Sequence, residues 1–245
     1  MNSQWFESWF ESSWYRELYS HRTIDEAKTA ISLVHRMPLA QNAHILDLCC
    51  GAGRHAAALA EQGYRVTGID YSAYLIDIAR HEYATLPSLE LFRCDMRDSY
   101  PNKPFDAIVN FFTSFGYFST DEENASVVTN IANSLNKNGY FLLDYLNSVY
   151  VRRHLVPFSV DTFPSAIIES HRSIQSKTVI KNITVIPVTG NKEQYEENVK
   201  LYSKNDLQGM IENNGFIIEC IHGDYDGSDF MEETSPRCII IAKKV

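Results

Sequence analysis

The stretch Ile45–Ser72 reads ILDLCCGAGRHAAALAEQGYRVTGIDYS, and its reading decides the fold. HILDLCC, from His44, is a short apolar run bounded by glycine, which predicts a buried strand. RHAAALAEQ is rich in alanine and ends at Gly63, a natural left-handed helix stop. YRVTGID is a second strand, and Ser72 is placed to cap a further helix in which Leu75, Ile76, Ala79 and Tyr83 recur at helical spacing. Strand, glycine turn, helix, strand and acid together form a unit that binds a nucleotide-like cofactor.

Working outward, a helix is expected over residues 24–36, broken by Pro38. LELFRCDM and FDAIVNFF read as the third and fourth strands. Thr120 to Glu123 has the spacing of a capping box. It opens a helix with Val127, Val128, Ile131 and Leu135 on one face, expected to end at Gly139 before the strand YFLLDYLN. The alternation predicts an α/β fold, a parallel sheet with helices on both faces. Ligands in such sheets sit outside the carboxyl ends of the strands. The rhythm changes at about residue 148. Residues 165–202 read as antiparallel strands, with a turn at Thr189-Gly190-Asn191. A second capping box at Ser203 then opens a helix with Leu207, Met210 and Ile211, stopped at Gly215, and two strands follow.

A chain of 245 residues is read as one large domain with an insertion. Hydrophobic content of 44% is that of a globular protein, and a net charge of −9 argues against non-specific nucleic-acid binding. The longest basic runs are the pairs Arg152-Arg153 and Lys243-Lys244. Five cysteines at unsuitable spacings predict reduced thiols and no metal site, hence a cytoplasmic location. No signal peptide and no membrane span are expected. The first 20 residues are aromatic, with Trp5, Phe6, Trp9 and Phe10 on one helical face. That face can be ordinary core, a lid over a ligand, or a membrane surface; Glu7, Glu11 and Glu17 disfavour the last.

The turn GAGRHA leaves two cofactors open. Gly51 and Gly53 let the backbone approach a ligand, the next helix points its free N–H groups at it, and Asp70 can accept from two ribose hydroxyls. A nicotinamide dinucleotide uses the same parts. Three features favour S-adenosylmethionine. Asp47 lies inside the first strand, where a pyrophosphate would repel it, and can bond the turn or a cofactor ammonium. The third strand runs into Cys94-Asp95-Met96, an acid for an adenine amino group and a side chain to flank the ring. The last elements run in the order insertion, helix, strand, strand.

In these residues the sequence resembles the class I S-adenosylmethionine-dependent methyltransferases. The resemblance is strong over about residues 40–147 and looser over the C-terminal helix and strands. ILDLCCGAGRH, VTGIDYS, CDM, FDAIVNFFTSFGYF and NGYFLLDYLN resemble five family motifs in order. The resemblance implies a seven-stranded, mostly parallel Rossmann-like sheet with an antiparallel last strand. Within it, residues 1–36 would be a helical lid and residues 148–202 an inserted β cap over the substrate. It implies S-adenosyl-L-methionine as cofactor, S-adenosyl-L-homocysteine as product, and cofactor contacts from Asp47, Gly51, Gly53, Arg54, Asp70, Tyr71, Asp95, Met96, Asn110 and Phe111, with Tyr15 and Tyr19 closing over the methionine end. Where the common first motif has glycine, this chain has Cys49. The form CCGxGRH, with a terminal GDYDGS…SPR…IIIA, resembles a subfamily whose members are small-molecule methyltransferases or have no assigned substrate.

The expected reaction is methyl transfer to nitrogen, oxygen or carbon of a small molecule by a monomer or homodimer. The alternative is a non-methylating reaction such as cyclisation on the same fold and cofactor. Phe115, Tyr117, Tyr145 and Tyr225 are candidates for the substrate pocket. Tyr145 and His171 are candidate catalytic groups. His55 is read as structural.

Overall fold

A computed structural model describes residues 4–245. The sheet elements that build the site are β1 (His44–Leu48), β2 (Arg65–Asp70), β3 (Leu89–Arg93), β4 (Phe105–Asn110) and β5 (Leu135–Leu146). An inserted sheet follows, β6 (Phe158–Thr162), β7 (Ala166–Gln175), β8 (Thr178–Pro187) and β9 (Glu193–Lys200), and then β10 (Phe216–His222) and β11 (Arg237–Lys244). The helices are α1 (Trp5–Trp9), α2 (Ser13–Leu18), α3 (Ile24–Ile31), α4 (Arg54–Glu61), α5 (Ala73–Glu82), α6 (Asp121–Ser134), α7 (Ser148–His154) and α8 (Lys204–Glu212).

The main sheet has seven strands in the order β10-β11-β5-β4-β1-β2-β3. β11 runs antiparallel to both its neighbours, and the other pairs are parallel. The fold is therefore the α/β sheet that the motif order implies. Alternate residues build two cores, because strand side chains point to opposite faces with a period of two. Leu46, Leu48, Ile108, Phe141, Leu143, Tyr145 and Ile240 face α6 and α8. Ile45, Val66, Val109, Leu142, Ile239 and Ile241 face α3 and α4.

Within the expected insertion, residues 158–200 build a second, antiparallel sheet in the order β6-β7-β8-β9. The sequence reading missed α7, which Asn147 caps through the Val149 N–H at 3.1 Å, and the edge strand β6. The inner face of this sheet, with Ala166, Ile168, Ile183 and Val185, packs against Trp9 and Leu18 of the N-terminal helices. Phe6 enters the main core instead. The aromatic N-terminus is thus a wedge between the two sheets. Among the described residues no helix is long and apolar enough to cross a membrane.

One boundary differs from expectation. α6 stops at Ser134, not at Gly139, because Leu135 turns extended (φ −90, ψ 146) and pairs with Phe105 as the first residue of β5. Gly139 serves a tight passage: a Cβ there would meet Asn136 O at 2.9 Å and Asp106 O at 3.1 Å. Both capping boxes form, at Thr120/Glu123 and Ser203/Asp206. Thr120→Ala removes a side-chain acceptor from the α6 N-terminus, worth about 1 kcal/mol. Its melting temperature, followed by circular dichroism, is expected to fall by about 2–4 °C.

Candidate functional site

The turn after β1 carries the site. Cys49, Gly51 and Gly53 have φ of 63, 54 and 82, so three of five consecutive residues are left-handed. Cys49 therefore occupies a conformation that favours glycine and stores strain of order 1–3 kcal/mol. The Asp70 carboxylate holds the turn: Oδ2 accepts from Gly51 N and Oδ1 from Ser72 N, each at 2.8 Å. Burial pushes Asp70 up to about 6, against these two bonds, which lower it. Each Asp70 oxygen keeps a lone pair for a further donor. Gly53 packs its backbone on α5, where a Cβ would lie 3.0 Å from Ala79 Cβ and 3.3 Å from Tyr83 Cδ2. Gly53→Ala combines a forced left-handed alanine with that clash. It is expected to cost about 2 kcal/mol or more, and to weaken ligand binding in isothermal titration.

Asp47 is 1% exposed and faces the turn from the α4 side of β1. Its Oδ2 has no hydrogen-bond partner. Burial raises it to about 7, opposed by a bond from the Ala56 backbone and by Arg54, and reinforced by Asp70. A buried carboxylate oxygen without a partner costs free energy that a bound cation would recover.

Asp47 opens into a cleft of about 660 Å³ bounded by Tyr15, Tyr19, Arg22, Gly51, Arg54, His55, Phe111, Phe112, Tyr117, Glu197 and Arg237 among others. A narrow recess of about 60 Å³ continues from it past Asp70 and Tyr71 to Asp95 and Met96, closed by Phe6, Phe10 and Phe118. Asp95 is held by Arg97, through its N–H at 2.9 Å, Nε at 3.0 Å and Nη2 at 2.7 Å. Burial would raise Asp95, but the Arg97 bonds outweigh it and hold the carboxyl below its ordinary range. Arg54 donates to Thr23 O at 3.0 Å and sits 3.7 Å from Glu26. Tyr19 donates to Glu197 Oε1 at 2.8 Å and accepts from Lys181 at 2.9 Å, while Trp9 Nε1 donates to the same Glu197 oxygen at 2.7 Å. These bonds tie the N-terminal helices to the inserted sheet. Tyr15 is half-buried, and desolvation raises its hydroxyl to about 12.

Of the expected cofactor contacts, Asp47, Gly51, Arg54, Asp70, Tyr71, Asp95, Met96, Phe111, Tyr15 and Tyr19 line this connected space. Gly53 and Asn110 do not. Asn110 is 1% exposed and its amide donates to Leu48 O at 2.9 Å and Ser114 O at 3.2 Å, so it fixes the segment after β4. Of the expected pocket residues, Tyr117 lines the cleft. Phe115 and Tyr145 are core, with ring centroids 6.1 Å apart. The Tyr145 hydroxyl donates to Lys200 O. The period of two explains the correction: Asp144 points to the cleft side and Tyr145 to the α6 side. Tyr225 stands behind the wall, donating its hydroxyl to Asp144 Oδ2 at 2.6 Å. His171 lies on the exposed outer face of β7, 4.6 Å from the Phe158 ring, and cannot act in the cleft.

The sequence reading gave no role to Arg237, Asp144 or Glu197. Asp144 is fully buried and accepts from Phe112 N at 2.7 Å, from Tyr225 and from Arg237 Nε. Arg237 Nη2 also donates to Thr113 Oγ1 at 3.0 Å. Phe112 and Thr113 are both left-handed, with φ of 57 and 63. The C-terminal segments GDYDGS and SPR thus converge, through Tyr225 and Arg237, on one carboxylate that pins a strained loop at the cleft mouth. Their presence in the sequence was visible; their meeting point depends on the antiparallel pairing of β11 with β5.

Residues 45–139, from β1 to the start of β5, match the family described as a methyltransferase domain. The chain carries a methyltransferase domain. A protein of Geobacillus sp. (strain WCH70) named as a methyltransferase is 25% identical over 241 residues, 94% of this chain and 97% of that one. The dTDP-3-amino-3,4,6-trideoxy-alpha-D-glucopyranose N,N-dimethyltransferase of Streptomyces venezuelae is 32% identical over 120 residues, 49% of this chain and 48% of its own. The fold is shared with an S-adenosylmethionine-dependent methyltransferase from Clostridium acetobutylicum ATCC 824, at a TM-score of 0.80 and 15% identity, over 94% of this chain and 96% of that one. The methyltransferase places its glycine turn, Asp47 and Asp70 at the carboxyl end of the sheet, where its fold binds ligands. Among the described residues no cluster of three metal-ligating side chains occurs.

Proposed function

We propose that this methyltransferase transfers the methyl group of S-adenosylmethionine to a small molecule held beneath its N-terminal helices and inserted sheet. The observation that carries the reading is the partnerless Oδ2 of buried Asp47 in the cleft wall. The polar residues of the cleft fit the cofactor's charged and hydroxyl groups. Asp47 takes the ammonium, and Arg54 with Arg22, Tyr15 and Tyr19 takes the carboxylate. Asp70 accepts from the ribose hydroxyls with the lone pairs its backbone bonds leave. Tyr71, Asp95 and Met96 border the recess for adenine, and the small volume there calls for Phe6 and Phe10 to yield. When bound, S-adenosylmethionine would supply an electrophilic methyl whose leaving group is the neutral thioether of S-adenosylhomocysteine. The enzyme's part is mainly to align and desolvate the two reactants. Tyr15 and Tyr117 give the sulfonium aromatic neighbours.

A cleft of about 660 Å³ is in the range of small-molecule sites. The bonds from Trp9 and Tyr19 to Glu197 let the N-terminal helices and inserted sheet cover it as one lid. The partial likeness to an amino-sugar N,N-dimethyltransferase supports a small acceptor. Incubation with methyl-labelled S-adenosylmethionine and a fractionated small-molecule extract tests the reading. Label is expected in the small-molecule fraction. Label confined to protein or nucleic acid would reject the acceptor class.

A further inference from the structure

The end of the cleft around Phe112 has chemistry that the cofactor uses only in part. Four nitrogen-bearing side chains ring Phe112: Arg22 at 5.0 Å from its centroid, Arg54 at 5.8 Å, Arg237 at 5.8 Å and the His55 ring at 5.1 Å. All four line the cleft. The acids near them are Glu26 on Arg54, Asp144 and Asp224 on Arg237, Glu197 in the cleft wall, and Asp47, which is raised to about 7. In a chain of net charge −9 this end gathers three guanidiniums around one ring.

Two groups there lack a sufficient partner. His55 is 6% exposed and stacked on Phe111 at 4.7 Å, and its Nε2 has no hydrogen bond. Burial, then Arg54 and Arg22, push its pKa down to about 3, so the ring is neutral and can donate from one nitrogen. Arg237 uses Nε for Asp144 and Nη2 for Thr113. A guanidinium has more N–H donors than these two bonds use. It is held rigidly by Asp144, and the planar fork suits two oxygens at once.

We propose that the acceptor carries an oxyanionic group, a carboxylate or phosphate, seated at the Phe112 end of the cleft by Arg237 and His55. The assignment deepens the methyltransferase reading and rests on it. Arg54 and Arg22 hold the cofactor's carboxylate, Arg237 and His55 the acceptor's, and the two anions lie on either side of Phe112. His55, expected from the sequence to be structural, becomes a specificity-determining residue. The oxyanion satisfies the buried imidazole nitrogen, which otherwise is left without a bond.

The test uses the protein saturated with S-adenosylhomocysteine and reads melting temperature against malonate, citrate and inorganic phosphate at matched ionic strength, with dimethyl malonate and glycerol as neutral counterparts. Saturable stabilisation by at least one anion and none by its neutral counterpart is expected. Arg237→Gln and His55→Gln are expected to weaken that binding about tenfold or more, and His55→Gln, which leaves the Asp144–Arg237 pair intact, is expected to keep S-adenosylhomocysteine affinity within about twofold of wild type. Arg237→Lys keeps the charge without the fork and should fall between. If Arg237→Gln does not fold, His55→Gln alone decides. The proposal is overturned if no anion binds better than its neutral counterpart, or if His55→Gln binds anions as wild type does. It is overturned equally if His55→Gln loses S-adenosylhomocysteine in step with the anion, for the ring then serves the cofactor. Failure of wild type to bind S-adenosylhomocysteine at all would instead reject the underlying cofactor reading.

Discussion

Asp47→Asn is expected to weaken S-adenosylhomocysteine binding by about 10–100-fold, the value of a hydrogen bond to a charged group, while making the ligand-free protein more stable above neutral pH. The second half follows from burial. Asp47 is held at about 7 in the folded chain against an ordinary 3.8. Between those values the folded state keeps a proton that the unfolded state releases, so stability falls as pH rises. The burial penalty is absent below the unfolded pKa and fully present above the folded one. Asparagine cannot ionise, so it escapes the penalty. Thermal unfolding of the two ligand-free proteins should nearly coincide on this count near pH 4, with Asp47→Asn increasingly the more stable toward pH 8. Asp70 shifts in the same direction, to about 6, but is present in both proteins and cancels. Higher stability with lost binding is what separates a binding acid from a structural one.

Asp144→Ala is expected to produce the largest loss of stability. Asp144 is fully buried, and its removal strands Arg237, the Tyr225 hydroxyl and the Phe112 N–H together. Breaking one side of a buried ion pair costs about 3–5 kcal/mol. In a chain of this size that is a drop of about 10 °C in melting temperature. The left-handed Phe112–Thr113 loop should relax as well, so binding in the cleft is lost with stability. Asp144→Ala combined with Arg237→Leu removes both charges, and replacing a buried pair by apolar groups is far less harmful than breaking it. The double variant is therefore expected to melt above the single Asp144→Ala. Equal or additive losses would show that the pair does not act as a unit.

What the sequence disclosed was local. The turn GAGRHA, Asp70 at the end of β2 and the two capping boxes each depend on residues a few positions apart, and each is found where spacing put it. Tyr145 and Phe115 were misplaced because an aromatic cluster after a strand reads alike whether it lines a cavity or fills a core. Only the register of β5 turns Tyr145 away from the cleft. His171 failed for the same reason, on the outer face of β7. β6 and α7 were missed because a short edge strand needs little apolar patterning and α7 is one Asn-capped segment of seven residues. The Asp144–Arg237–Tyr225 cluster spans 93 positions between its first two members, a distance that no spacing rule reaches.

The most direct test of the central claim is calorimetric titration of S-adenosylhomocysteine into wild type and Asp47→Asn. The geometry around Asp47 predicts one saturable site in wild type and much weaker binding in the variant, with no heat from a reduced nicotinamide dinucleotide in either. Absence of binding by S-adenosylhomocysteine and S-adenosylmethionine at millimolar concentration, or equal affinity in the two proteins, would contradict it.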